Sequence, residues 1–98
     1  MTEIKELIVN IDEEIDDAGK YAELAHKYKD FDKPLADTYI TLANQELGHA
    51  DMLHTQAVRL IKEHAEDPID GMRAVWNYEH EKFTERKAKV KTVIDMFR

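Results

Sequence analysis

Two glutamates and a histidine lie at positions where the surrounding sequence pattern calls for apolar side chains. Glu14 comes three residues after Ile11 and four before Ala18, inside an apolar stripe. Glu46 and His49 take the same kind of position in a second apolar stripe. Burying an ionised carboxylate is costly unless the carboxylate is paired or bound to a metal. We therefore expect these three side chains to have a partner, and a bound cation is one such partner.

Glu46 and His49 form a Glu-x-x-His motif. Side chains three residues apart on a helix project from one face and can bind the same ion. Carboxylate and imidazole ligands together suit iron, manganese or zinc better than calcium or magnesium. The competing interpretation is an ordinary helical core, in which Glu46 and His49 hydrogen-bond to neighbours or reach solvent. Glu14 on the facing helix favours the metal interpretation.

Two other pairs share the Glu-x-x-His type of spacing but have the wrong helical phase. Glu23 follows the first-helix glutamate by nine residues, about 180° around the helix, so Glu23 and His26 are not expected at the site. Asp51 precedes His54 by three residues but lies off the apolar stripe of its helix.

Four further residues have open roles. Tyr21 and Tyr39 lie on the inner faces, where each is either a core residue or a hydrogen-bond donor that orients a carboxylate. Glu79 is either an additional ligand, the partner of a Lys or Arg, or a helix-edge residue. His80 is expected to be a surface or interface residue.

Three amphipathic helices are predicted to position these residues. Apolar residues recur about every 3.6 positions in three segments, which is the period of a helix with one buried face. The sequence predicts helices over residues 3–28, 34–65 and 68–97. We expect an all-α fold in which the first two helices form a long antiparallel hairpin, with residues 1–98 as a single domain.

Turn and cap residues support these boundaries. Thr2 is a candidate N-cap of the first helix. Pro34 suits the first turn of the second helix, and Asp67 followed by Pro68 suits the start of the third. The apolar face of the third helix is predicted to consist of Met72, Val75, Trp76, Phe83, Val90, Ile94 and Phe97.

Composition excludes several classes of function. The chain has 98 residues, a net charge of −7 and no cysteine. The negative charge disfavours a nucleic-acid partner, and the lack of cysteine excludes disulfides and thiol chemistry. No apolar run approaches the roughly 20 residues that span a bilayer, so we expect no membrane partner and a cytoplasmic location.

Charge is unevenly distributed along the chain. Residues 1–19 contain seven acidic residues and one lysine, whereas residues 82–98 contain six Lys/Arg and two acidic residues. Because short turns make the third helix parallel to the first, its basic end is expected beside the lysine-rich end of the first helix. This predicts an antiparallel two-fold dimer that brings basic residues to the partner's acidic ones. The groups expected to meet are Arg86, Lys87, Lys89 and Lys91 with Glu3, Glu6, Asp12 and Asp16.

The first half of the chain resembles one half of a ferritin or rubrerythrin four-helix bundle. Those families place a glutamate on the first helix, a tyrosine seven residues later and Glu-x-x-His-Ala on the second helix. The corresponding run is Glu14, Tyr21, Glu46, His49 and Ala50. The likeness covers about half of the chain, which is also similar in length to encapsulated ferritins and small ferritin-like proteins of bacteria and phages.

The resemblance implies a shared metal site. Full-length members repeat the helix pair, but this chain has no second Glu-x-x-His in its third helix, and encapsulated ferritins build their site between subunits. A homodimer would therefore complete the four-helix bundle, with Glu46 of both chains bridging two metals that Glu14 and His49 cap. Iron is the expected metal, with manganese or zinc as alternatives, and Fe(II) oxidation by a ferroxidase-type reaction is an open possibility. The alternative function is a metal-free helical assembly or adaptor module.

Overall fold

The computed structural model describes residues 2–63 and 70–97, and this part of the chain is helical and contains no strand. Its helices are α1 (Thr2–Tyr28), α2 (Lys33–Glu63) and α3 (Asp70–Asp95). The all-α prediction is confirmed. Thr2 is itself the first helical residue and not the cap before it, and α3 ends at Asp95 and not at residue 97. The predicted end of the second helix and the predicted start at Asp67 and Pro68 lie outside the described residues.

Asp32 caps the N-terminus of α2. Its Oδ1 accepts a hydrogen bond from the N–H of Leu35 at 3.1 Å, and its backbone carbonyl accepts one from the N–H of Ala36 at 2.9 Å. Pro34 costs no hydrogen bond in this first turn, because the first N–H groups of a helix have no partner within the helix. The short turn after Tyr28 therefore ends α1 and starts α2 in the opposite direction.

Replacing Asp32 with alanine should lower the free energy of unfolding by about 1 kcal/mol, because the N–H of Leu35 then loses its acceptor. Urea denaturation measures the change, with Asp32→Asn expected to retain most of the stability. Asp30→Ala is the matched control, since Asp30 is an exposed aspartate in the same turn. Equal midpoints for Asp32→Ala and Asp30→Ala would show that the cap does not stabilise α2.

Small side chains bring α1 and α2 close together. The spacing of packed helices depends on the size of the side chains at their contact, and alanine allows the closest approach of these apolar residues. The alanines at the centre of the hairpin are fully buried: Ala18, Ala22, Ala25, Ala43, Ala50 and Ala57. Polar side chains that flank these alanines on facing helices are therefore held close to one another.

Helix α3 packs beside the hairpin and runs parallel to α1, as the sequence predicts. Arg86 Nη1 lies 3.2 Å from Asp12 Oδ1, whereas further along both helices His26 Nε2 lies 2.7 Å from the Val93 carbonyl oxygen. The contacts advance in the same direction along both helices. The middle of α3 therefore lies beside the acidic first half of α1.

This register corrects the charge argument for a dimer. Arg86 pairs with both Asp12 and Asp16 of its own chain, and Lys87 Nζ lies 2.6 Å from Asp51 Oδ1. Arg86 and Lys87 therefore have acidic partners within one chain, so these two residues give no argument for a second subunit, because α3 reaches acidic groups on the hairpin directly. Ion pairs of this partly exposed kind contribute under about 1 kcal/mol each, so they orient α3 more than they stabilise it.

Apolar residues attach α3 to the hairpin. The buried side chains of its apolar face are those of Trp76, Phe83 and Ile94. Val90 packs against the same core, as predicted, whereas the side chains of Met72 and Val75 lie outside the described part of the structure. No helix in the described part of the chain is both long enough and apolar enough to cross a membrane.

Candidate metal centre

The structure brings Glu14, Glu46 and His49 together across the hairpin. His49 Nδ1 lies 3.6 Å from Glu14 Oε2 and 3.8 Å from Glu46 Oε2. One ligand atom from each residue lies within 4.8 Å of the other two. In the part of the chain that the structure describes, this is the one group of three or more such ligands that meets this distance.

The helices position these side chains through their phase and their close packing. Glu46 and His49 are one turn apart on α2, and Glu14 faces them from the middle of α1. Ala18 on α1 and Ala50 on α2, each next to the site, have no exposed surface. Because both neighbours are small, the two backbones approach closely enough for side chains from both helices to meet.

The site is half-buried and has an open edge. The exposed fractions of the side chains are 27% for Glu14, 19% for Glu46 and 54% for His49. The imidazole therefore lies at the solvent edge, whereas the two carboxylates lie further in. Ions and small molecules can reach the site beside His49.

One carboxylate oxygen of the site has no hydrogen-bond partner. Glu14 Oε2 is itself buried although its side chain is partly exposed, and among the described residues it is the one buried side-chain oxygen or nitrogen left without a partner. A buried acceptor without a partner costs roughly 1–3 kcal/mol, and more when it is charged. The His49 nitrogen at 3.6 Å is too far away to donate a hydrogen bond to it. A cation at this point would supply the missing interaction.

The distances from His49 to the two carboxylates are compatible with binding to one ion. Two ligands on one ion at about 2.0–2.2 Å lie at most about 4.3 Å apart, and both distances from His49 fall within this limit. Two carboxylates and one imidazole form a mixed set of oxygen and nitrogen ligands. A single chain supplies three such residues, which leaves coordination positions for further ligands.

Helix α3 does not cover this site. On α1, Glu14 lies about 160° around the helix from Asp12, which contacts α3. On α2, His49 lies about 140° from His54, which contacts Phe83 of α3. Glu14, Glu46 and His49 therefore occupy the face of the hairpin that points away from α3, which we call the open face.

Apolar side chains flank the ligands on the open face. Leu7 and Tyr21 lie seven residues before and after the α1 glutamate, and Tyr39 and Leu53 lie seven residues before and after the α2 glutamate. All four are neither fully buried nor fully exposed. The Tyr21 and Tyr39 rings stack with their centroids 6.0 Å apart, which favours a packing role for both. The open face is thus a half-buried apolar surface with polar ligands at its centre.

Glu79 and His80 lie on α3, away from the three ligands. Glu79 Oε2 lies 3.6 Å from Lys82 Nζ, so Glu79 takes the ion-pair role. His80 is exposed and its Nδ1 lies 2.8 Å from His54 Nε2, in a contact that the sequence analysis missed. The signal for it was the phase of Asp51 and His54, which points toward α3.

The second Glu-x-x-His pair is not part of the site. Glu23 is exposed, as its phase predicts, and the His26 ring contacts the Val93 carbonyl and the Phe97 ring. Glu23 and His26 have the same residue types and spacing as Glu46 and His49 but lie away from the candidate site. They therefore provide internal controls for experiments on the site.

Comparison of the chain with models of known protein families, with curated proteins and with solved structures finds no match. The ferritin-like interpretation therefore depends on the ligand residues and on their arrangement.

Proposed function

We propose that this chain is a ferritin-like protein that binds iron at a site shared between two copies of the chain. The ligands are Glu14, Glu46 and His49 of each copy, and manganese or zinc are the alternative metals. The observation that carries the proposal is the buried Glu14 Oε2 without a hydrogen-bond partner, beside a second carboxylate and an imidazole.

The ligand count supports a shared site. Di-iron sites in four-helix bundles take a glutamate from each of two helices and a Glu-x-x-His pair from each of two others. One chain supplies half of this set. A two-fold axis through the open face would bring the second half into place, and two-fold dimers are the commonest soluble oligomers.

The open face also offers the contact area for such a dimer. Leu7, Tyr21, Tyr39 and Leu53 flank the ligands and are partly exposed in the single chain. Covering them with a second copy removes apolar surface from water, which stabilises the complex by about 25 cal/mol per Å² buried. Because α3 lies on the other side of the hairpin, two hairpins can face each other with both α3 helices outside.

The proposal extends to Fe(II) as a substrate. Iron bound here would supply the redox chemistry, in which each Fe(II) becomes Fe(III) by giving one electron to dioxygen or peroxide. The carboxylates of Glu14 and Glu46 balance the charge of the bound ions, and His49 at the exposed edge adjoins the path by which ions and oxidant enter. Oxidation is followed by the absorbance of the ferric product after mixing with Fe(II) in air.

Metal content and mass in solution together test the shared site. Protein purified without a histidine tag and loaded with Fe(II) should contain about one ion per chain. Sedimentation equilibrium at micromolar concentration should show a dimer or a multiple of it, with little dependence on salt, because the contact is apolar. A stable monomer with metal present would contradict the shared site.

The half-buried apolar open face also fits the second candidate function, a metal-free assembly or adaptor module. In that case the dimer forms through the same face, but tag-free protein binds no transition metal. Metal analysis of the sedimenting dimer separates the two functions.

A further inference from the structure

Two histidines, whose side-chain type can bind a metal, lie in contact between α2 and α3. His54 Nε2 on α2 lies 2.8 Å from His80 Nδ1 on α3, and the ring centroids are 5.0 Å apart. Aromatic rings of α3 lie next to this pair, with the Phe83 centroid 4.5 Å and the Trp76 centroid 5.5 Å from that of His54. The pair therefore lies within a cluster of aromatic rings at the contact between the two helices.

The distance between the two nitrogens limits what can lie between them. At 2.8 Å a single proton fits, which one neutral imidazole donates and the other accepts. When both rings are protonated, two N–H groups face each other and repel. When His54 carries its proton on Nδ1 and His80 carries its proton on Nε2, two nitrogen lone pairs converge on one point between α2 and α3.

We propose that His54 and His80 form a second metal site, for a late first-row divalent ion such as Cu(II) or Zn(II), that links α3 to the hairpin. Imidazole nitrogen suits these ions, and affinities for such sites rise toward copper. Two nitrogens on one tetrahedral ion at about 2.0–2.1 Å are about 3.3 Å apart. The rings must therefore separate by about half an ångström, which the exposed His80 side chain can do by rotation.

Charged neighbours leave the pair available to a metal. Asp51 and Lys87 lie near His54, but Asp51 Oδ1 pairs with Lys87 Nζ at 2.6 Å, so the Asp51 carboxylate already has a cationic partner. Burial, followed by the neighbouring His80, lowers the pKa of His54. A metal ligand must be deprotonated, so a lowered pKa at His54 favours metal over proton. Water would complete the coordination.

This site is separate from the proposed iron site. His54 faces α3, whereas His49 lies on the open face about 140° around the same helix. The ligand sets also differ, since the second site has imidazoles and no carboxylate. The inference therefore stands or fails independently of the proposed iron function.

Trp76 provides the test, because it is the one tryptophan of the chain and lies next to both imidazoles. Its ring centroid lies 5.5 Å from that of His54 and 5.8 Å from that of His80. Bound Cu(II) quenches tryptophan fluorescence at such short range. Titration with Cu(II) at pH 7 should give saturable quenching that a large excess of Zn(II) reverses by competition, and acidification should weaken the quenching because a metal ligand must be deprotonated.

His80→Gln is the decisive variant, because His80 is exposed and its replacement should leave the fold intact, as far-UV circular dichroism can verify. We expect its Cu(II) affinity to fall at least about tenfold, or roughly 1.4 kcal/mol. His26→Gln is the matched control, and His49→Ala removes the first site; both should keep the quenching of the parent. Undiminished quenching in both His80→Gln and His54→Gln, or loss of quenching in His49→Ala, would overturn the proposal.

Discussion

Glu46→Ala and His49→Ala variants are each expected to bind Fe(II) or Zn(II) at least about tenfold more weakly than the parent, a loss of roughly 1.4 kcal/mol or more. Each substitution removes one of three ligands that one chain contributes. In a two-fold dimer each substitution removes two ligands from the shared site, so the loss of binding free energy per dimer is about twice as large. Equilibrium dialysis with metal analysis of the tag-free protein measures the affinity.

The chain provides matched controls for these variants. Glu23 and His26 repeat the Glu-x-x-His spacing, but Glu23 is exposed and His26 contacts α3. Glu23→Ala and His26→Ala should therefore bind metal as the parent does. If Glu46→Ala and His49→Ala also match the parent, the metal binds elsewhere and the proposed site is wrong.

Metal is expected to raise the thermal midpoint of the parent protein on the order of 10 °C or more. A ligand at about 100 times its Kd stabilises the folded state by about 2.7 kcal/mol, and each kcal/mol shifts the midpoint of a domain of this size by about 4–8 °C. Without metal, a dimer would bring the carboxylates of Glu14 and Glu46 from both chains together, and their repulsion opposes assembly. Scanning calorimetry with and without Fe(II), Mn(II) or Zn(II) measures the shift.

Glu14→Gln separates metal binding from general stabilisation. The neutral amide removes a buried charge and offers donors of its own, so the metal-free variant should melt at or above the midpoint of the metal-free parent. It should also lose most of the rise on adding metal. An unchanged midpoint of the parent at saturating metal would instead support the metal-free assembly function.

Helical phase is the part of the structure that the sequence determines most clearly. The apolar stripes of α1 and α2 placed Glu14, Glu46 and His49 on facing sides of a hairpin, because a short turn at Pro34 leaves antiparallel packing as the simplest arrangement. The same phase separated Glu23 from the site. The sequence analysis did not predict the cap at Asp32, because capping depends on which side chain reaches a free N–H in the first turn of the helix.

The register of α3 could not be predicted from the sequence. Counting charges along the chain shows that the last segment is basic, but it does not show that Arg86 lies beside Asp12 and Asp16. The contact between His54 and His80 depends on the same register, because the phase of His54 points it toward α3 but does not show that His80 lies opposite. Both features depend on the position of α3 along the hairpin, and side-chain packing sets this position.

The most direct test of the account is anomalous X-ray scattering from crystals grown with Fe(II), measured on both sides of the iron absorption edge. The account predicts anomalous maxima at the open face, between Glu14, Glu46 and His49 of two chains related by a two-fold axis. Ordered ligand side chains with no maximum between them, or maxima confined to other parts of the chain, would contradict it.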